Sequence, residues 1–382
     1  MTDGENQRLG AYVETSAGGE RVRAYVPAPL PPKPSLELGR FMHVYERAIA
    51  AVGRLDGVTT ILPSTPLFLY MYVRKEALLS SQIEGTQSSL SDLLLFENHE
   101  APAVELDDVT EVSNYVAAIE HGVSRMRGGF PLSLRLIREM HAILLKSGRG
   151  AAQQPGEFRR SQNWIGGTRP GNALFVPPPP NRLDECLDAL ERFLHSEDAA
   201  LPPLIRAALA HVQFETIHPF LDGNGRLGRL LITLILCEAG VLREPILYLS
   251  LFLKSRRDDY YRLLQEVRLK NNWEEWILYV LRGVEQTATQ TIQQIKEINK
   301  LFSKTQETIK KKTEKSYNKE LLELLFEHPY SKIDHVIDRL KVSRVTAAKY
   351  LKELEGIGII QSRRIWKETL YINMQLFELL RK

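Results

Sequence analysis

Cysteine is scarce in this 382-residue chain: Cys186 and Cys237 are the two, and neither has a CxxC partner. That spacing excludes a disulfide framework and a cysteine-based metal site. Both are expected as buried packing residues, as suits a reducing compartment. Long hydrophobic runs are missing too. The longest, near Leu230 to Cys237, falls well below the ~20 residues that span a bilayer. The polar start MTDGENQRLG has no basic region followed by an apolar stretch, unlike a secretory leader. A cytoplasmic location with no membrane partner is expected. An excess of one charge is also lacking, since 50 Lys and Arg against 47 Asp and Glu leave +3. Bulk charge therefore does not draw the chain to nucleic acid or membranes. What remains is ordinary globular composition, 43% hydrophobic and 25% charged, with length for two or three domains of roughly 100–200 residues. There is no internal repeat.

Residues 1–35, rich in Gly and Pro with the run VPAPLPPKP, read as an irregular surface arm. Helical patterns follow in SLELGRFMHVYERAIAAVGRLDG, LFLYMYVRKEALLSSQIEG, DDVTEVSNYVAAIEHGVSRM and SLRLIREMHAILLKSG. The second stops at Gly85; the last opens at Ser133, a predicted N-cap. Between 150 and 180 the pieces NWIGG and ALFVP, separated by TRPGN, predict a small hairpin. Helices then resume. WEEWILYVLRGVEQ runs into the polar TATQTIQQIKEINKLFSKTQETIKKKTEK, a linker candidate, and the C-terminal part reads as three short helices and two β-prone pieces. The expected division is an N-terminal arm and helices (1–120), a catalytic domain (121–290), a helical linker (291–316) and a winged helix-turn-helix (317–382).

The most informative stretch is His218-Pro-Phe-Leu-Asp-Gly-Asn-Gly-Arg-Leu-Gly-Arg229. Gly223, Asn224 and Gly225 precede an apolar helix, and glycine lets backbone approach a ligand closely. The helix start supplies unpaired N–H groups and a positive dipole end, an anion cradle. Arg226 and Arg229, spaced i, i+3, point to one side and suit phosphate oxygens. Asp222 is the natural ligand for Mg2+, which takes one or two carboxylates plus phosphate oxygens. His218 has the pKa range for taking a proton from a hydroxyl. Together they predict phosphoryl or nucleotidyl transfer.

This stretch resembles the Fic family signature HxFx(D/E)GNGRxxR, and every defined position matches. The resemblance implies an all-helical Fic core with a β-hairpin flap, and transfer of AMP from ATP, with Mg2+, to a Ser, Thr or Tyr hydroxyl of a target protein or of the chain itself. It implies His218 as general base, Asp222 on Mg2+, Gly223, Asn224 and Gly225 on the α- and β-phosphates, Arg226 on the β/γ-phosphates and Arg229 on the γ-phosphate. The Doc branch carries lysine where this chain has Gly225, and phosphorylates; the glycine here favours AMP. Other branches transfer UMP or phosphocholine.

Upstream, Ser80-Ser-Gln-Ile-Glu84-Gly85 is similar to the family's inhibitory motif (S/T)xxxE(G/N). Glu84 is then expected to pair with Arg229 and occupy the γ-phosphate space, with Ser80 steadying that helix end. The flap is expected over Ile165 to Val176 (Ile165, Gly166, Gly167, Thr168, Leu174, Phe175, Val176), where a target segment adds as a strand. Thr216, Tyr248, Tyr260 and Tyr261 are the adenosine candidates. In the C-terminal module, Arg344 to Leu354 reads as a recognition helix, with Arg344, Thr346, Lys349, Lys352, Arg363, Arg364 and Lys367 positioned for DNA; Glu353 and Glu355 favour protein contact instead. Two other functions stand beside AMP transfer: a DNA-binding transcription regulator that retains the nucleotide-binding fold, and removal of AMP at the same site. Pairing of two copies is a further expectation from the resemblance.

Overall fold

The computed structural model describes residues 9–33, 35–60, 65–97, 106–196, 201–313, 318–365 and 368–381. The expected irregular arm is in part a hairpin, β1 (Ala11–Ala17) against β2 (Glu20–Val26), antiparallel with Ala11 facing Val26. Its two-residue turn is Gly18-Gly19, both at positive φ (55° and 82°). Two left-handed residues match the twist of the flanking strands, and glycine reaches that region at little cost. The alternating pattern about Gly-Gly was the available signal, outweighed by the proline run that follows.

The core is helical, as expected: α1 (Met42–Thr59), α2 (Thr65–Ile83), α3 (Leu90–Glu97), α4 (Leu106–Arg127), α5 (Leu134–Leu144), α6 (Pro180–Leu194), α7 (Pro203–Ile217), α8 (Asn224–Glu238), α9 (Leu249–Ser255), α10 (Arg257–Lys270) and α11 (Trp273–Lys312). Ser133 does cap α5, its hydroxyl accepting from Leu136 N. α7 and α8 lie side by side at the centre. From Leu204 to Ile217 every residue of α7 except Arg206 is buried, and α8 is buried from Arg226 to Leu236. A helix covered on all sides sits inside the protein, and neither it nor any other described helix is long and apolar enough to cross a membrane. Cys186 is buried and Cys237 partly so.

The segment expected as a linker is packed. α11 is one 40-residue helix whose Ile295, Ile298, Leu301 and Ile309 are buried at helical spacing in the main core. The expected limits at 120 and 290 both fall inside continuous helices. Beyond α11 come α12 (Lys319–Glu327), β3 (Tyr330–Ser331), α13 (Ile333–Leu340), α14 (Arg344–Gly356), β4 (Gln361–Ile365), β5 (Glu368–Ile372) and α15 (Met374–Arg381), with strand order β3-β5-β4. The expected three helices and two strands are there, joined by β3 and α15. The module rests on α2 and α11. The Tyr70 and His328 rings meet edge to face at 6.0 Å. Gln294 accepts from Tyr72 OH at 2.6 Å and donates to the Leu379 carbonyl.

Candidate active site

The loop from His218 to Gly223 is shaped by its own sequence and then pinned by distant residues. Pro219 disfavours helix at His218, and His218 leaves α7 in a left-handed conformation, φ 48°. That is a costly place for a non-glycine residue, and Arg159 holds it. Arg159 is 2% exposed; its Nε donates to the His218 carbonyl at 2.9 Å, and its Nη atoms reach the carbonyls of Ser161, Pro178 and Ile217. Asn224, buried, folds its amide back to donate to Phe220 O and accept from Phe220 N, both at 2.9 Å. On the other side His141 Nδ1 accepts from Gly156 N at 2.8 Å, so its Nε2 carries the proton donated to Asp222 O at 3.0 Å. The His141 ring also stacks on Phe220 at 3.7 Å. Burial pushes the His141 pKa down to about 4, so it acts as a neutral brace. Neither Arg159 nor His141 was legible as part of the site, because each arrives from a remote stretch of chain.

His218 is neutral near pH 7. Burial first, then the cations Arg268 and Arg159, push its pKa down to about 3. Its Nδ1 is buried and makes no well-formed hydrogen bond among the described residues. What faces the ring is Glu215, whose backbone carbonyl favours the protonated imidazole and whose Oε2 lies 4.0 Å from Nδ1. Burial raises Glu215 to about 7, with Glu84 adding to the rise and Arg229 and Arg268 opposing it.

Arg229 is 3% exposed and held from one side. Nε donates to Ser80 Oγ at 2.8 Å, and Nη2 donates to Ser80 O at 3.0 Å and Glu84 Oε1 at 2.7 Å. Ser80 therefore grips the arginine directly, beyond its expected place at the helix end. Burial opposes ionisation of Glu84, yet Arg229, Arg226 and His218 outweigh it and hold the carboxyl below its ordinary range. α2 ends at Ile83, and Gly85, at φ 102°, turns the chain away. A Cβ at Gly225 would overlap Glu84 Oε1, so this close approach needs glycine.

Arg226 has a partner that the sequence did not reveal. Its Nη1 lies 3.1 Å from Glu111 Oε2 and its Nη2 3.7 Å from Asp222 Oδ1. Glu111 also binds Arg149 Nε at 2.7 Å; Arg149 binds Asp108 at 2.8 Å, and Asp108 Oδ2 accepts from Gln87 N at 2.6 Å. An ionic chain thus runs from the arginine of the loop to the turn just after Glu84. Asp222 Oδ1 accepts from Gly223 N at 2.6 Å, and its side chain is 45% exposed. Gly150 leaves it room, since a Cβ there would stand 2.8 Å from Asp222 Oδ2. One half-open carboxylate beside the open start of α8 is a donor that fits Mg2+, which takes one or two carboxylates together with phosphate and water oxygens. Among the described residues no cluster of three or more acidic, His or Cys side chains adds to it.

The adenosine candidates divide. Tyr248 is buried and stacked on Tyr72 at 4.4 Å: a core ring, with no face for a base. Tyr260 is buried with its hydroxyl on His211 Nε2 at 2.9 Å, while His211 Nδ1 donates to Gly228 O. Thr216 Oγ1 donates to Val212 O and accepts from Arg268 Nε. Tyr261 is 41% exposed and lies within the electrostatic reach of Glu84 and Arg229; it is the most exposed of the three tyrosines, with the Arg257 guanidinium 5.5 Å over its ring.

The expected flap is a loop closed by a single antiparallel bridge, Ile165 to Phe175. Gly166 and Gly167 are left-handed (φ 69° and 71°), and residues 170–172 form a turn of 3-10 helix, so a ladder cannot propagate. Thr168 N and Arg169 N donate to Asn172 Oδ1. Leu174 is 76% exposed. The N-terminal hairpin extends this loop: Tyr25 N donates to Val176 O at 2.9 Å, the Tyr25 and Phe175 rings meet at 6.0 Å, and Arg169 pairs with Glu20 at 2.6 Å. In the C-terminal module Arg344 pairs with Asp334 at 2.8 Å and Lys349 approaches Glu353 at 3.9 Å. Thr346 lies beside the α14 cap Ser343, and Lys352, Arg363 and Arg364 are exposed. Lys367 lies outside the described residues.

Comparison with known proteins agrees with this geometry. Residues 42–124 match the Fic/DOC family N-terminal domain, 131–236 the Fic/DOC family, and 301–376 the C-terminal domain of protein adenylyltransferase SoFic-like chains. A protein adenylyltransferase Fic of Drosophila yakuba is 29% identical over 221 residues, covering 57% of this chain and 40% of that protein. Its counterpart in Drosophila grimshawi is 34% identical over 161 residues, covering 42% and 30%. The chain thus spans less than half the length of these curated relatives. In fold it is similar to a Fic family protein from Desulfovibrio desulfuricans G20 (TM-score 0.55, 19% identity, 86% of this chain and 95% of that one). It is also similar to Fic-1 from C. elegans (TM-score 0.52, 24% identity, 68% and 75%). With the signature loop, the helical core around it and the flanking domains all in the same order, the chain belongs to the Fic family.

Proposed function

We propose that this chain is an auto-inhibited protein adenylyltransferase that moves AMP from ATP to a Ser, Thr or Tyr hydroxyl of a protein. The observation that carries the reading is the meeting of charges at Glu84, a carboxylate within reach of Arg229, Arg226 and His218 at once. A triphosphate in that place would have its terminal phosphates on the two arginines and its α-phosphate over the start of α8, near a neutral imidazole. The amides of Gly223, Asn224 and Gly225 would hold the α- and β-phosphates, where the helix dipole favours anions. The acceptor's O–H gives its proton to the imidazole. Its oxygen bonds to the α-phosphorus as the bond to the bridging β-oxygen breaks, and pyrophosphate leaves with that electron pair. Asp222 would hold Mg2+, which neutralises charge building on the leaving group. Exposed Tyr261 is the adenine contact in this reading, and the Ile165–Val176 loop is where the acceptor segment aligns.

Glu84 prevents the reaction by occupying the γ-phosphate space, so ATP cannot bring its α-phosphorus in line. The test is to incubate the Glu84→Gly protein with ATP and Mg2+ and read adducts by mass spectrometry. An AMP adduct on a Ser, Thr or Tyr supports the reading. A phosphate adduct, or none on the chain or in an added proteome, rejects it.

A further inference from the structure

Behind the loop a buried carboxyl lies close to the ring nitrogen of His218 that the proposed chemistry leaves unused. Among the described residues Glu215 Oε1 has no hydrogen-bond partner, and His218 Nδ1 has none of good geometry, although the Glu215 backbone carbonyl lies within reach of the ring. The second carboxylate oxygen, Oε2, lies 4.0 Å from His218 Nδ1 at the C-terminal end of α7. An unpaired buried polar group costs roughly 1–3 kcal/mol, so two such atoms on neighbouring groups call for an explanation. The packing around Glu215 is built for a carboxyl. α8 carries Gly228 where it passes this side chain, and a Cβ there would overlap Glu215 Oε1. Gly228 occupies one of the undefined positions of the signature, so the fit to Glu215 accounts for a glycine that the loop itself does not demand.

We propose that Glu215 is a positioning residue for His218: its carboxylate receives the Nδ1 proton, fixing the imidazole with Nε2 open as the base, and balances the imidazolium formed on proton transfer. The proposal rests on the adenylyltransferase reading and adds to it the group that makes the base usable. When the acceptor's proton moves to Nε2, the imidazole becomes a buried cation beside Arg268 and Arg159, both of which disfavour it. A carboxylate on the other nitrogen offsets that repulsion, and the same proton later leaves from Nε2 to solvent or pyrophosphate, returning the ring to its starting form. The carboxylate is faced by His218 on its own helix end, Arg229 on α8, Arg268 and Tyr260 on α10, and Glu84 beyond α2. With burial raising Glu215 to about 7, its ionised form is present above that pH and lost below it. Removing Glu84 lowers the midpoint somewhat.

The test compares Glu84→Gly with Glu84→Gly/Glu215→Gln and Glu84→Gly/Glu215→Asp. The Gln variant keeps the backbone carbonyl of residue 215 and loses only the carboxylate. We expect its kcat for AMP transfer to fall ten- to a hundredfold with KM for ATP within twofold, and the acid limb of the pH–rate profile to vanish. The Asp variant retains that limb at intermediate kcat. Independently, nitrogen NMR of His218 in the unsubstituted protein should show the Nδ1–H tautomer at pH 8 to 9, with its population falling as Glu215 takes up a proton below pH 7. A Gln variant with unchanged kcat and acid limb overturns the proposal, as does an Nε2–H tautomer at pH 8 to 9 or a tautomer that does not change as Glu215 titrates. That second readout needs no catalysis. It stays decisive if Glu84→Gly transfers nothing, an outcome that counts against the adenylyltransferase reading alone.

Discussion

Glu84 Oε1 sits 2.7 Å from Arg229 Nη2, and the backbone carbonyl of Ser80 shares the same nitrogen at 3.0 Å. A charge-assisted hydrogen bond contributes about 1.5–3 kcal/mol, and the 36% exposure of the Glu84 side chain reduces that through solvent screening. Glu84→Gly is accordingly expected to raise AMP transfer by roughly five- to thirtyfold, read as labelled AMP on protein. An unchanged rate would remove the inhibitory role. Adding His218→Ala in that background should lower the rate by about 10²–10⁴.

The pH response of inhibition has a definite sign. Against the cost of burial, Arg229 and its neighbours hold the Glu84 carboxyl below its ordinary value. The contact it makes is therefore fully present above the ordinary carboxylate pKa of about 4.3 and is lost only as pH falls through the lower folded value. The ratio of Glu84→Gly to unsubstituted activity should therefore not fall between pH 9 and 6. A ratio that collapses toward one near pH 6 would contradict this.

Glu111 gives a handle on Arg226. Breaking a buried ion pair from one side costs about 3–5 kcal/mol, so Glu111→Gln should lower the thermal midpoint by several degrees. With only the 3.7 Å contact to Asp222 left to Arg226, inorganic triphosphate should restore more of the midpoint in this variant than in the parent. Equal shifts in a thermal melt would show that phosphate does not take over the arginine.

The N-terminal hairpin makes a separable prediction through Tyr25 N and Val176 O. Removing residues 1–26 leaves that carbonyl to water and uncovers the Phe175 ring. Hydrogen exchange at Ile165 and Phe175 should speed up by at least tenfold, and KM for a protein acceptor should rise while KM for ATP holds. Unaltered exchange at both amides would show that the hairpin does not support the loop.

The loop from 218 to 229 was legible because its chemistry is local: a proline, the glycines at 223 and 225, an amide and two arginines within twelve consecutive positions carry their own geometry. The pairing of Glu84 with Arg229 was foreseen only because its motif is also short. Arg159, His141 and Glu111 reach the loop from 59, 81 and 115 positions away, and nothing in their own neighbourhoods marks them. Tyr248 and Tyr261 look alike as letters; burial against Tyr72 separates them. The 291–316 stretch looked like solvent-facing helix because its polar residues outnumber its apolar ones, yet Ile295, Ile298, Leu301 and Ile309 form a stripe too thin to catch the eye and wide enough to bury.

α11 is a rod of roughly 60 Å at 1.5 Å per residue, with Trp276 hydrogen-bonded to Ala208 of α7 near one end and Gln294 tied to α15 further along. A stiff beam seated in two bodies makes them mechanically one. Any event that tilts the C-terminal module, whether a partner grasping it or its removal, pries on the α7 strut from which the imidazole hangs, so severing the chain between the two would cripple the remainder instead of liberating it.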